Sequence, residues 1–202
     1  MKKKLKLYLL LILLSYLHFI NGQSKHSIYL ATGANLYDYK VEHQSSLTLR
    51  NHKFENNWQT SVGYRFQYNM QRWIIHTAPE LKYSKITFIQ FYPQKEYTGE
   101  LYNTELSIGT GYRVYKFSSI GLEYRIVHEI DATGSFFKQV FNFDTDYSAL
   151  GFFMQFQLSK HFEVGINYIG TIGNQFHDGI GLSEFIHKIY LRNADFRVYY
   201  NF

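Results

Sequence analysis

The 202-residue chain contains no cysteine, which excludes a disulfide frame, a thiolate nucleophile and a cysteine acceptor for lipidation. Proline occurs only twice. Beyond residue 20 no apolar run approaches the length of a membrane helix, so any crossing of a bilayer must be made by strands. An excess of one charge is also missing. Lys and Arg total 21 against 16 Asp and Glu, but Lys2, Lys3, Lys4 and Lys6 lie in the first 22 residues, which hold no acid. Without those four, 17 bases face 16 acids, and net charge gives no argument for nucleic acid as a partner. Aromatic residues are what the chain has in abundance. They make up 19% of it, with 19 Tyr and 18 Phe, a composition that favours strands over disorder or helical bundles.

The first segment reads as an address. Met1 to Lys6 supply a positive start, and Leu7 to Ile20 an apolar stretch too short to span a bilayer as a relaxed helix. Residues 1–22 are therefore expected to be a secretory signal, cleaved after Gly22 or Ser24, with 23–202 forming one domain.

That domain alternates with period two. Trp58, Thr60, Val62, Tyr64, Phe66, Tyr68 and Met70 face one way, and Gln59, Ser61, Gly63, Arg65, Gln67 and Asn69 the other. Trp73 to Ser84 and Tyr102 to Val114 obey the same rule, with Pro79 predicting a bulge or local irregularity. Weaker strands follow at Ile120 to Ile126, Ser148 to Leu158, Phe162 to Tyr168 and Tyr190 to Phe202. Ser27 to Tyr37 makes eight, its faces ambiguous because tyrosines interleave with Ile28, Leu30 and Leu36. Tight connections fall around Gln71, around Phe117 to Ser119 and around Lys160. Long ones are expected over 38–57, 85–100, 128–146 and 173–187. Turns alternating with loops in this way mark an all-β, antiparallel, up-and-down transmembrane barrel.

Period two alone does not say which face is outside. An eight-stranded barrel has an interior just wide enough for side chains or one small ligand, and the aromatic face is too bulky to fill it. The polar face carries Gly63, Gly109, Gly111, Gly121 and Gly165, which relieve crowding where charges converge. Trp58 and Tyr68, Trp73 and Tyr83, Tyr102 and Tyr112, and Tyr190 and Tyr200 are each ten residues apart on the bulky face. Tilted by about 40°, ten residues project to roughly 25 Å, the height of an outer-membrane apolar band. These eight are read as membrane-interface aromatics.

The signal segment, the eight strands, the alternation of turns and loops, and the closing Asp195-Phe196-Arg197-Val198-Tyr199-Tyr200-Asn201-Phe202 together resemble the small outer-membrane barrels of OmpA/OmpX type. The resemblance implies a Gram-negative outer membrane with lipid and lipopolysaccharide around the barrel. It also implies that Phe196, Val198, Tyr200 and Phe202 form a C-terminal signal for the barrel assembly machinery. Fold alone does not carry function.

The polar face places Arg65, Lys82, Arg113, Arg125 and Arg197 against Glu80, Glu105, Glu123, Glu163 and Asp195. Equal numbers predict an internal ion-pair network and a closed interior, whereas an ion-selective pore would show an excess of one sign. Some small barrels are lipid A or phospholipid acyl hydrolases or acyltransferases, chemistry that needs a Ser/His/acid set. The sets are Glu42-His43-Gln44-Ser45; His128, Glu129 and Ser135; and His177, Asp178 and Ser183. None has a spacing that fixes nucleophile, base and orienter together. Asp144 and Asp146 fall short of a cation site, and no cofactor or metal is expected. The long connections hold Phe88, Phe91 and Tyr92; Phe136, Phe137, Phe141 and Phe143; and Phe176, Ile180, Leu182 and Phe185. These serve loop-on-loop packing or contact with an extracellular ligand or protein. A structural or interaction role through four extracellular loops is the leading expectation. A lipid-modifying enzyme, a small pore and a soluble periplasmic binder are the alternatives.

Overall fold

The computed structural model describes residues 23–42, 52–91, 94–135, 141–143, 146–172, 176–178 and 186–202. The expected signal segment, 1–22, and the Glu42-His43-Gln44-Ser45 set past Glu42 lie outside them.

Eight long strands close into one antiparallel ring. They are β1 (Gln23–Glu42), β2 (His52–Met70), β3 (Trp73–Phe91), β4 (Gln94–Tyr115), β5 (Ser118–Gly134), β7 (Asp146–Gln157), β8 (Phe162–Ile172) and β10 (Ile186–Asn201). Each pairs with its neighbour in the chain, and β1 closes on β10 from Ser27 opposite Asn201 to Glu42 opposite Ile186. Closure leaves no strand edge around the ring, which is the condition for putting a sheet into lipid. Two short strands, β6 (Phe141–Phe143) and β9 (Phe176–Asp178), pair with each other outside the ring.

The tight connections lie where the sequence places them. Gln71 and Arg72 join β2 to β3, with Gln71 in the left-handed region at φ 52°, and Lys116 and Phe117 join β4 to β5. At Pro79 the expected disturbance is a local irregularity and not a bulge. The register to β2 is the same on both sides of it, Gly63 opposite Glu80 and Phe66 opposite Thr77, and only the two intervening pairs are missing from the ladder. Proline withdraws a donor here without inserting a residue. The register shifts lie elsewhere, between Glu55 and Trp58 on β2 and at Tyr102/Asn103 and Arg113/Tyr115 on β4.

The long connections are corrected more substantially. The stretch expected as a loop over 85–100 is mostly strand: β3 runs to Phe91 and β4 starts at Gln94, paired with each other throughout. β5 likewise runs to Gly134 and β2 starts at His52. A strand needs only about 9–11 residues to cross a bilayer, so β2 to β5 project well beyond it at the long-loop end. The alternation fails there for a physical reason. The inward side of β3 changes from His76, Glu80, Lys82 and Ser84 to Ile86 and Phe88, all buried. Leu101 is buried on β4 opposite Ser84, and Val127, Ala149, Ile169 and Leu191 are buried on β5, β7, β8 and β10, Val127 opposite Glu105 and Ala149 opposite Arg125. The inside is polar around the ion pairs and turns apolar along the end of β3 that projects with β4. Phe88, expected in a loop, is thus a buried strand residue whose ring lies 6.1 Å from that of Tyr97 on β4.

Candidate functional site

The interior holds the polar residues of every strand in the ring. Arg65, Arg125 and Arg197 are each only 1–2% exposed, from β2, β5 and β10 respectively. Arg197 donates through Nη2 to Glu80 Oε2 at 3.0 Å and through Nε to Asp195 Oδ1 at 2.8 Å. Arg125 donates to Glu123 at 2.6 Å, to Glu105 at 3.1 Å and to Asp195 at 3.4 Å. Lys82 completes Glu105 at 2.8 Å. Seven side chains from β3, β4, β5 and β10 therefore form one connected cluster across the bore. A second, smaller group lies toward the tight turns, where Glu163 accepts from Arg65 at 2.7 Å and from Lys25 at 2.5 Å.

Geometry like this matters because a buried charge without partners is very costly, whereas one held by several hydrogen bonds recovers much of its lost hydration. Nine of the ten charged residues read from the sequence lie in these two groups. Arg113 stands apart. It is half-buried at the tight-turn mouth, next to the end of the β4–β5 ladder, and donates to Asn69 Oδ1 at 3.3 Å. Lys25 and His76 join the groups without having been singled out; His76 Nε2 lies 3.0 Å from Glu123 Oε2. Lys25 lies in the β1 stretch preceding Ser27, where the sequence alternation begins, and His76 falls on the polar side of the Trp73 to Ser84 alternation.

Aromatic residues also enter the bore, which period-two reading did not foresee. Tyr29 and Tyr199 are buried with ring centroids 5.1 Å apart. The Arg65 guanidinium lies 3.8 Å from the Tyr199 ring centroid and that of Arg197 lies 4.8 Å from the Tyr29 centroid, so the rings supply cation–π partners as well as volume. Tyr29 donates its hydroxyl to Glu80 at 2.6 Å. The glycines make room for these rings. A Cβ at Gly63 would meet Tyr29, one at Gly109 would meet His76, one at Gly121 would meet Phe153 and one at Gly165 would touch Tyr199.

The outer surface is the converse. Leu30, 66% exposed, lies between Val62 and Val198, and Leu81, Ile108, Leu122, Phe152 and Ile166 are exposed on other strands. Trp58, Tyr83 and Tyr102 follow one another toward the long-loop end, the first pair edge-to-face at a centroid distance of 5.4 Å and the second tilted at 5.1 Å. Toward the tight turns Trp73 meets Tyr112 at 5.4 Å and Tyr200 meets Phe162 at 5.5 Å. Tyr68 shares the outward register, opposite Ile75, but is 7% exposed, so its ring is covered instead of standing free. Tyr190 is placed in β10 opposite Asp38, and its side chain lies outside the described residues. Phe196, Val198, Tyr200 and Phe202 are all outward and exposed.

The set of His128, Glu129 and Ser135 does not assemble. His128 Nδ1 pairs with Asp146 Oδ1 at 2.5 Å. Ser135 is seven residues further along the extended chain, roughly 23 Å at strand rise, and its hydroxyl exchanges hydrogen bonds with the backbone of Thr98. Among the described residues no group of three or more His, Asp or Glu is placed to hold a metal. The side chains of His177 and Asp178, and Asp144 and Ser183 altogether, lie outside the described residues, as do the side chains of the apolar loop residues other than Phe88.

No family model matches the chain, and no curated protein matches it. Solved structures do. The outer membrane protein OprG from Pseudomonas aeruginosa superposes with a TM-score of 0.53 at 12% identity, over 89% of this chain and 95% of that one. Ail, the attachment invasion locus protein of Yersinia pestis, gives 0.44 at 13% identity, over 90% and 99%. The chain has the fold of the small eight-stranded outer-membrane β-barrels.

Proposed function

We propose that this chain is a closed outer-membrane barrel of a Gram-negative bacterium, with a structural or interaction role exercised through its long-loop end. The observation that carries the closed reading is the engagement of Arg65, Arg125 and Arg197 with carboxylates from other strands, each guanidinium almost without exposure. Charges held this way block a small bore instead of lining it, and eight strands leave little room for both. Lipid and lipopolysaccharide cover the exposed apolar belt. The barrel assembly machinery recognises the outward Phe196, Val198, Tyr200 and Phe202. A ligand or protein outside the cell is met by the projecting ends of β2 to β5, where Glu96, Thr98 and Glu100 are exposed.

Planar-bilayer recording of the purified protein tests closure. The expected trace is flat, and stable ohmic steps would show that ions pass the bore. Protease treatment of intact cells tests orientation: cuts are expected only in the four long-loop segments, and cleavage at the tight turns would invert the topology.

A further inference from the structure

At the tight-turn end the bore opens into a vestibule of about 360 Å³, on the far side of the Arg65–Glu163–Lys25 group from the large ion cluster. Four cationic side chains line it, Lys25, Arg113, Lys116 and Lys160, against a single carboxylate, Glu163. That carboxylate is already taken by Arg65 and Lys25. The cations outnumber the anions even if a terminal carboxylate at Phe202 is counted. This contrasts with the charge pairing deeper in the bore, so it is not a by-product of how the barrel is filled.

The wall between the cations is amide and hydroxyl. Asn201, 4% exposed, lines the vestibule with both Nδ2 and Oδ1 unpartnered among the described residues, and Gln67 Oε1 is in the same condition. Buried amides without partners are rare, because each forfeits its hydrogen bonds to water. Here they lie beside surplus positive charge in a space several times the size of an inorganic anion. Donors and acceptors together, next to cations, match a ligand that carries many hydroxyls and a negative group. A lipid headgroup fits poorly, since its acyl chains belong to the outer surface and the vestibule opens from within the ring.

We propose that this vestibule binds an anionic sugar unit, its phosphate or carboxylate held by Arg113, Lys116 and Lys160 and its hydroxyls by Asn201 and Gln67. In an outer-membrane barrel the tight turns face the periplasm, so the ligand reaches the site from that side. It is either a free sugar phosphate or the end of an anionic glycan. The site does not depend on the closed reading of the bore.

Calorimetric titration of the processed chain, purified in a zwitterionic detergent at low salt, tests the assignment. Glucose 6-phosphate is expected to bind, glucose not to bind, and inorganic phosphate to bind more weakly than the sugar phosphate. The exposed pair Lys116→Gln/Lys160→Gln, and separately Arg113→Gln, should each weaken glucose 6-phosphate by about tenfold. Asn201→Ala should weaken the sugar phosphate and leave inorganic phosphate unchanged. Binding of a phosphorylated oligosaccharide as well would assign the site to glycan ends, and its exclusion to the free sugar. The proposal fails if glucose 6-phosphate does not bind, if it binds no better than phosphate, or if neither cation variant alters it while both remain folded.

Discussion

The ring of Tyr29 occupies the space that a side chain on its cross-strand partner Gly63 would need: a Cβ there would lie 2.3 Å from a ring carbon. Gly63→Ala is therefore expected to cost about 1–3 kcal/mol, the usual range for overpacking. Because the clash is with one ring, Tyr29→Ala should largely abolish the effect of the alanine. Urea unfolding of the two single variants and the double variant in detergent micelles gives the coupling. Simple additivity would mean that the ring and the glycine do not share this space.

Arg197 joins Glu80 to Asp195, and its loss leaves two buried carboxylates with fewer donors. Arg197→Gln should destabilise the barrel by about 3–5 kcal/mol, and Arg197→Gln/Glu80→Gln by less than the sum of the single changes. Tyr29 would keep a partner at position 80 in either case. The same unfolding titration reads the result, and a loss below about 1 kcal/mol would mark the pair as solvated.

Leu30 stands near the middle of the outer face and Ile172 at the long-loop end of β8, both exposed. Arginine at Leu30 should cost about 2–4 kcal/mol in a bilayer, and arginine at Ile172 about 0–1 kcal/mol. Folding equilibria in lipid vesicles would measure this gradient. Equal, negligible costs at both sites would place water against the outer surface.

Ser135 spends its hydroxyl on the backbone of Thr98, and His128 pairs with Asp146. Ser135→Ala and His128→Ala should leave the lipid A of the host unchanged when profiled by mass spectrometry. A species that disappears with either variant would restore an acyl-modifying role.

Phe202 is the last of the outward alternating residues. Phe202→Ser should lower the amount of barrel in the outer membrane of cells while leaving refolding into detergent nearly intact, as quantitative immunoblotting and heat-modifiability on gels would show. Equal loss in both settings would make Phe202 a packing residue and not a recognition signal.

Legibility in the sequence followed the solvent. Between the two aromatic levels each strand has lipid on one side and a narrow polar bore on the other, so Trp58 to Met70 alternates faithfully and its faces can be read directly. Past Tyr83 the surroundings change, Ile86 and Phe88 turn inward, and the pattern dissolves although the strand continues. Tyr29 and Tyr199 were hidden for another reason. Their type matches the outer face, and only Gly63 and Gly165 on neighbouring strands make room for them inside. Nothing near Lys25 or His76 in the chain marks their partners, because an ion pair depends on strands brought together by closure, not on neighbours in the chain.

By itself the sequence determined eight crossings, their order, their tight turns and which face meets lipid, because these follow from local alternation and from the impossibility of fitting so many rings inside. Which cation meets which carboxylate, that Arg113 remains at the mouth while Arg125 lies deep, and where the vestibule opens were decided only when the ring closed. Those contacts join residues as far apart as Lys25 and Glu163, whose distance is set by strand register and stagger around the barrel.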